Sequence, residues 1–295
     1  TALRDRANRF ADELEHWRAA CAPIADLPAD HPVTEAPTVA AARELRAALD
    51  VAQTRALSAV ASGQALESLI LTALLQTLSR WSGQARQVID LEGHGRAGHD
   101  AALDLSRTMG WFTANYPLSV ALPPAAPAAQ YRHVTDALAA VPGQGIGFGV
   151  LRQHAHRELA ASPAQVMFNF LGRVDVPQHD VDWRLAPEPV RAQRATGAAR
   201  DHALDLIAAL IDAGNGPQLS LTLRYDSARW ERTTMDLLLR RLRDNLSTLA
   251  VTLAVTPAAA GSDATPVSKP ATPGAAAVSD PKHAALLARL GKRRR

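Results

Sequence analysis

The chain of 295 residues has one cysteine, Cys21, so an internal disulfide is impossible and a cysteine-rich zinc site is excluded. It has no run of 18 or more apolar residues, which argues against a spanning helix. Aromatic residues are only 4% of the total, too few for the stacking platforms that hold single-stranded nucleic acids. A charged-then-apolar leader pattern and an initiator methionine are both lacking at Thr1. These absences lead to the expectation of a cytoplasmic protein, in a reducing compartment, that is a piece of a longer chain.

Basic charge is also scarce where a nucleic-acid face would need it. The net charge is +3, yet Lys282, Arg289, Lys292, Arg293, Arg294 and Arg295 crowd into the final segment, which holds no acid after Asp280. The remainder is mildly acidic, whereas a nucleic-acid-binding domain carries its basic patch on a folded face. Neither nucleic acid nor a membrane is expected as a partner. What is present is ordinary globular material, 47% hydrophobic and 21% charged, ample for a buried core.

Periodicity divides the chain. Phe10, Leu14 and Trp17 predict a helix over 1–20, followed by a proline-bearing connector from Pro23 to Pro37. Alternation from Val39 to Leu49 predicts a strand, and 51–61 and 64–81 read as helices, the second amphipathic through Leu66, Leu69, Ile70, Ala73, Leu74 and Leu78. Arg86 to Leu91 reads as a strand running into a glycine-rich turn, Leu118 to Leu122 as a strand, and 128–141 and 149–159 as helices. Val166 to Val174 reads as a strand. A hairpin is predicted from Ala203–Ile211 and Leu219–Tyr225 around Gly214, Asn215 and Gly216, because Leu219, Leu221, Leu223 and Tyr225 alternate strictly with polar residues. A helix over 231–252 closes the ordered part. The expected class is a mixed α and β sandwich. Residues 256–280, rich in Ala, Pro, Ser, Thr and Gly, read as a flexible linker, and 281–295 as a short basic helical tail that docks on a partner.

Candidate chemistry centres on Leu91-Glu92-Gly93-His94-Gly95-Arg96. A carboxylate at a strand end between glycines can approach a substrate closely, and His94 and Arg96 can hold its orientation; the same segment also suits a solvated surface turn. Gly143, Gly145, Gly147 and Gly149 follow Pro142 and recur at every second position. That spacing fits neither a dinucleotide fingerprint nor a phosphate loop, so a structural bend is expected. His94, His99, His154 and His156 lack a compact set of companion ligands, so no metal site is expected. His202 can be catalytic or can hydrogen-bond the chain; the second use is favoured.

Four segments in order resemble the epimerization domain of nonribosomal peptide synthetases: LEGHGR (91–96), DLSRTMGWFTANYP (104–117), VPGQGIGFGVLR (141–152) and FNFLGR (168–173), with His202 ahead of the final hairpin. The similarity runs from about residue 10 to about 252. The resemblance implies the C-terminal lobe of a two-lobed chloramphenicol-acetyltransferase-like fold over 36–254, with 1–35 as the end of the N-terminal lobe and the crossover. It implies inversion at Cα of an aminoacyl or peptidyl thioester held on the phosphopantetheine of a peptidyl carrier protein, with no cofactor bound directly. Glu92 is then the base or acid, Asn169 orients substrate or donates a hydrogen bond, and Arg107 and Trp111 match motif positions of structural or catalytic use. The family's paired histidines lie in the N-terminal lobe, and this sequence has no adjacent histidine pair. Phe148 and Phe170 stand where the family carries tyrosine, and the second change is expected to remove a hydroxyl beside the site. Implied partners are the carrier protein, the N-terminal lobe and a downstream synthetase subunit reached through the basic tail. A condensation domain, or a lobe that binds carrier or neighbouring domains without catalysis, are the alternatives.

Overall fold

The structure is a computed structural model that describes residues 8–96, 104–105, 107–154, 159, 162–174, 194–212 and 216–255. The expected beginning of the first helix, His99, His156, the Asn215 turn, the linker and the basic tail lie outside the described residues.

A 3-10 turn, Asn8–Glu13, leads into α1 (Leu14–Ala20), and β1 (Ala42–Ala48) follows the connector. Then come α2 (Val51–Val60), α3 (Gln64–Ser82), β2 (Arg86–Gly93), β3 (Ala114–Ala121), α4 (Pro127–Ala139) and α5 (Ile146–His154). β4 (Val166–Val174), the hairpin β5 (Leu204–Asp212) and β6 (Pro217–Asp226), and α6 (Arg232–Val255) are the remaining elements among the described residues. The six strands form one sheet in the order β1-β6-β5-β4-β2-β3. β4 runs parallel to both β2 and β5, and every other pairing is antiparallel.

Local chemistry accounts for these elements. Asp50 caps α2 by accepting from the Gln53 amide at 2.8 Å, while the Gln53 side chain accepts from the Asp50 amide at 3.1 Å. Helix α3 is buried along almost its whole length and stops at Gly83 in the left-handed conformation. Two of its buried hydroxyls are satisfied within the helix: Thr72 donates to the Ser68 carbonyl and Thr77 to the Ala73 carbonyl, both at 2.7 Å. Asn245 of α6 donates to Thr77 Oγ1 at 2.9 Å, a polar tie between the two helices.

The sheet is two-sided in chemistry. Ile89, Leu91, Phe168, Leu206, Ala208, Leu221 and Leu223 face α2, α3, α4 and α6 and form one core with them. The opposite face carries Glu44, Asp90, Glu92, Asn169, Asp205, Thr222 and Arg224, as the period of two requires. β3 begins at Ala114, four residues before the predicted start. Its position at the sheet edge tolerates Pro117, which has no N–H to donate.

The glycine-rich segment is a bend that brings chain segments together. Gly143, Gln144 and Gly145 have φ of 50°, 53° and 85°. A methyl at Gly145 would lie 1.9 Å from the Tyr116 ring, and one at Gly147 would lie 2.0 Å from Glu13 Oε2. Trp17, fully buried, packs on Phe148 at 5.3 Å between ring centroids and donates its indole N–H to Glu13 at 2.9 Å. Thus the bend seats α1 against α5 and β3. Gly145→Ala combines a positive φ with a side-chain overlap and should cost about 3 kcal/mol in urea unfolding. An unfolding midpoint equal to that of the parent chain would show that the bend relaxes freely.

Candidate active site

The site is built at the junction of β2 and β4. Their ladder pairs Ile89 with Val166, Asp90 with Met167 and Leu91 with Phe168. One step further along both strands stand Glu92 and Asn169, on the face opposite the helices. Asn169 Nδ2 donates to Glu92 Oε2 at 2.7 Å. An ionised carboxylate only accepts, so the amide must present its NH₂ group. This charge-assisted contact fixes the plane of the carboxylate. On the other side, Glu92 pairs across the ladder with Asn115 of β3. A cavity of about 250 Å³ lies at the start of β3, lined among others by Gly95, Phe112, Thr113, Asn115, Ile146 and Val150, with neither Glu92 nor Asn169 in its wall. The site therefore offers a carboxylate held in one orientation at a strand end, a suitable arrangement for moving a proton to or from a weak carbon acid.

The turn after Glu92 is rigid for reasons separate from the carboxylate. Gly95 has φ of 60°, and a methyl there would fall 1.5 Å from the Phe112 carbonyl oxygen, so only glycine fits. His94 Nδ1 accepts from the Arg96 amide at 3.0 Å. The Arg96 guanidinium donates to the carbonyls of Leu105 at 2.6 Å, Thr108 at 2.8 Å and Gly110 at 3.0 Å, and stacks 4.6 Å from the Phe112 centroid. Arg96 thus staples the following loop, where the sequence suggests that it would hold Glu92. Arg107 and Trp111 sit on that loop with their side chains outward, Trp111 being 96% exposed.

The two phenylalanines singled out by the resemblance, Phe148 and Phe170, are core residues. Phe148 packs on Trp17, and Phe170 lies 5% exposed on the helical face, opposite the face of Asn169 and Glu92. The expectation that a hydroxyl at residue 170 would stand beside the carboxylate is corrected: strand alternation turns it to the other side.

His202 reaches a side chain rather than the backbone. Its Nε2 lies 2.7 Å from Asp90 Oδ2, and Ser162 Oγ donates to Asp90 Oδ1 at 2.6 Å. Burial works to lower the His202 pKa, but the Asp90 hydrogen bond and charge, with Asp205 and Asp201, outweigh it and raise the value. Sequence reading misses Asp90 and Ser162. The available signal is Asp90, two residues before Glu92 in a strand whose alternate positions are apolar. Among the described residues no group of three His, Cys, Asp or Glu side chains is placed to hold a metal. No single described helix is long and apolar enough to cross a membrane.

The mixed six-stranded sheet backed by helices on one face matches the chloramphenicol-acetyltransferase-like fold. Residues 4–258 match the Condensation domain model, and the chain belongs to that family. It is 40% identical over 182 residues to chondramide synthase cmdD of Chondromyces crocatus, covering 59% of this chain and 5% of that one. It is 32% identical over 237 residues to a linear gramicidin synthase polypeptide of Brevibacillus parabrevis, covering 77% of this chain and 5% of that one. Among solved structures, the epimerization domain from the third module of tyrocidine synthetase B superposes with a TM-score of 0.71 at 26% identity. That match covers 85% of this chain and 58% of the solved domain. The chain thus spans a small part of these curated relatives and somewhat over half of the solved domain.

The Arg96 staple makes a direct expectation. Arg96→Ala removes three carbonyl contacts, so trypsin should cleave at Arg107 at least about tenfold faster than in the parent chain. Unchanged cleavage kinetics would show that the loop is held by other contacts.

Proposed function

We propose that this chain is the C-terminal part of a nonribosomal peptide synthetase epimerization domain, inverting Cα of an aminoacyl or peptidyl thioester from L to D. The observation that carries this reading is the Glu92 carboxylate, held by Asn169 at the end of β2. The likeness to the tyrocidine synthetase B epimerization domain supports it.

The chemistry requires a base close to Cα and a route for a proton to the opposite face. Glu92 takes the α-proton of the thioester, the C–H electron pair passes into the carbonyl, and an enolate forms. Asn169 fixes Oε2 of the carboxylate, so that Oε1 meets the substrate in one geometry. A second acid–base group, supplied by the other half of the domain, delivers a proton to the opposite face. The substrate arrives on the phosphopantetheine arm of a peptidyl carrier protein, which acts as tether and partner. The basic segment 281–295 serves as a docking element for an acidic partner in a neighbouring subunit.

The direct test loads an L-aminoacyl carrier protein in D₂O and follows α-deuterium exchange in a polypeptide that joins residues 1–295 to the other half. Glu92→Gln keeps shape and hydrogen bonding but removes the base, and exchange should fall by at least about 10²-fold. Exchange at the parent rate in Glu92→Gln would sink the assignment. New amide bonds without Cα exchange would favour the condensation reaction.

Residues 1–295 by themselves carry one side of the proton exchange. They should be silent in a chiral assay of carrier-bound substrate, and activity should return with the other half. Robust D-product from the chain alone would overturn the two-sided mechanism.

A further inference from the structure

Glu92 and Asn169 meet across the shortest ladder in the sheet. β2 and β4 share three register pairs, whereas β2 and β3 share eight and β5 and β6 share nine. A parallel pair of that length is a weak hinge, because parallel pairing is slightly less stable per residue than antiparallel pairing. A functional hydrogen bond of 2.7 Å made just beyond its last pair needs another restraint, or the strands fray where the carboxylate stands.

Asp90 supplies the candidate restraint. It lies on β2, two residues before Glu92 and on the same face. His202, at the entry to β5, spans β4 to reach one carboxylate oxygen at 2.7 Å, and Ser162, at the entry to β4, donates to the other at 2.6 Å. The partners are 112 and 72 residues distant in sequence. The side chains of His202 and Asp90 are only 13% and 15% exposed, so the pair is little screened. β2 is thereby fastened both to its neighbour β4 and, across it, to β5.

We propose that the Ser162–Asp90–His202 cluster is a clamp that positions Glu92 against Asn169. The inference rests on the reading of Glu92 as the acid–base group; the clamp residues act through Glu92 and are positioning residues. An imidazolium–carboxylate pair flanked by a hydroxyl is stronger than a neutral pair, and its surroundings favour the charged form. Asp90 from β2, Asp205 from β5 and Asp201 all favour the protonated imidazole, while Arg200 is held by Asp205 at 2.7 Å. Near Asp90, the Cys21 thiol is pushed up by burial and then by the Asp90 charge, against Arg152, and stays neutral beside the clamp.

The sign of the pH dependence follows. The His202 pKa is higher in the folded state, so the ionic part of the clamp is fully present below the unfolded value of about 6.5. It is lost as the pH rises through the raised folded-state value.

Two readouts test the clamp. Amide hydrogen exchange on residues 1–295, expressed as protection factors, reads the seam at 89–92 and 167–169. Steady-state α-deuterium exchange in the polypeptide joined to the other half reads catalysis. His202→Leu should lower seam protection about tenfold or more, and should cut kcat about 10²-fold with KM nearly unchanged, the scale of a 1 Å misplacement. His202→Gln, whose Nε2 can take the place of the imidazole Nε2, should restore most of both and abolish the alkaline decline in protection. If His202→Leu does not fold, Ser162→Ala removes only one arm and should give a partial loss of the same kind. Unchanged seam protection in both His202→Leu and Ser162→Ala would overturn the clamp, as would loss of kcat that His202→Gln fails to rescue. If His202→Leu loosens the seam but Glu92→Gln exchanges normally, the clamp stands and the epimerization reading falls.

Discussion

The three-pair parallel ladder between β2 and β4 is the constraint on which the arrangement of the site depends. Parallel neighbours cannot be joined by a tight turn, so β2 and β4 are brought together by everything that lies between them in sequence. That intervening chain includes the edge strand β3, two helices and the glycine bend. Each contributes to the junction: β3 pairs with the full length of β2, and α5 leads back to β4. The weak seam allows two strands from distant segments to place a carboxylate and an amide face to face. It also makes the site depend on tethers outside the ladder.

The helical face and the polar face do different work. On the first, α3 and α6 bury a continuous apolar surface that stabilises the sheet as a unit. On the second, acidic and amide side chains occupy alternate strand positions and pair with one another across strands. Glu92 belongs to both systems: its neighbour Leu91 is in the core, while its own side chain stands on the polar side. The turn beyond it is fixed by Gly95 against Phe112 and by the Arg96 staple. Thus the carboxylate sits between a buried strand and a braced turn. Such support suits the acid–base role proposed for Glu92.

Much of this architecture is legible in the residues. Val166–Val174 and the Leu219–Tyr225 alternation mark their strands because one face is apolar throughout. The glycines at every second position are readable as a bend, but their partners are not, since Tyr116 and Glu13 are distant in sequence. The family motifs bring Glu92 and Asn169 to attention, and the hydrogen bond between them joins residues 77 apart. Local proximity makes Arg96 look like a partner of Glu92, whereas its length carries it to carbonyls 9 to 14 residues onward. Phe170 misleads in the same way: adjacency to Asn169 in a strand means opposite faces. The Asp90 cluster rests on partners from three segments, and no local pattern encodes it.

The central proposal is that Glu92 on this fold serves proton exchange at Cα rather than amide formation. The measurement that bears on it most directly is chiral and mass analysis of product released from an L-aminoacyl carrier protein in D₂O, using residues 1–295 joined to the other half of the domain. The predicted result is D-configured product carrying one solvent deuterium at Cα. L-product that keeps its α-hydrogen, or a peptide bond formed with that hydrogen retained, would contradict it.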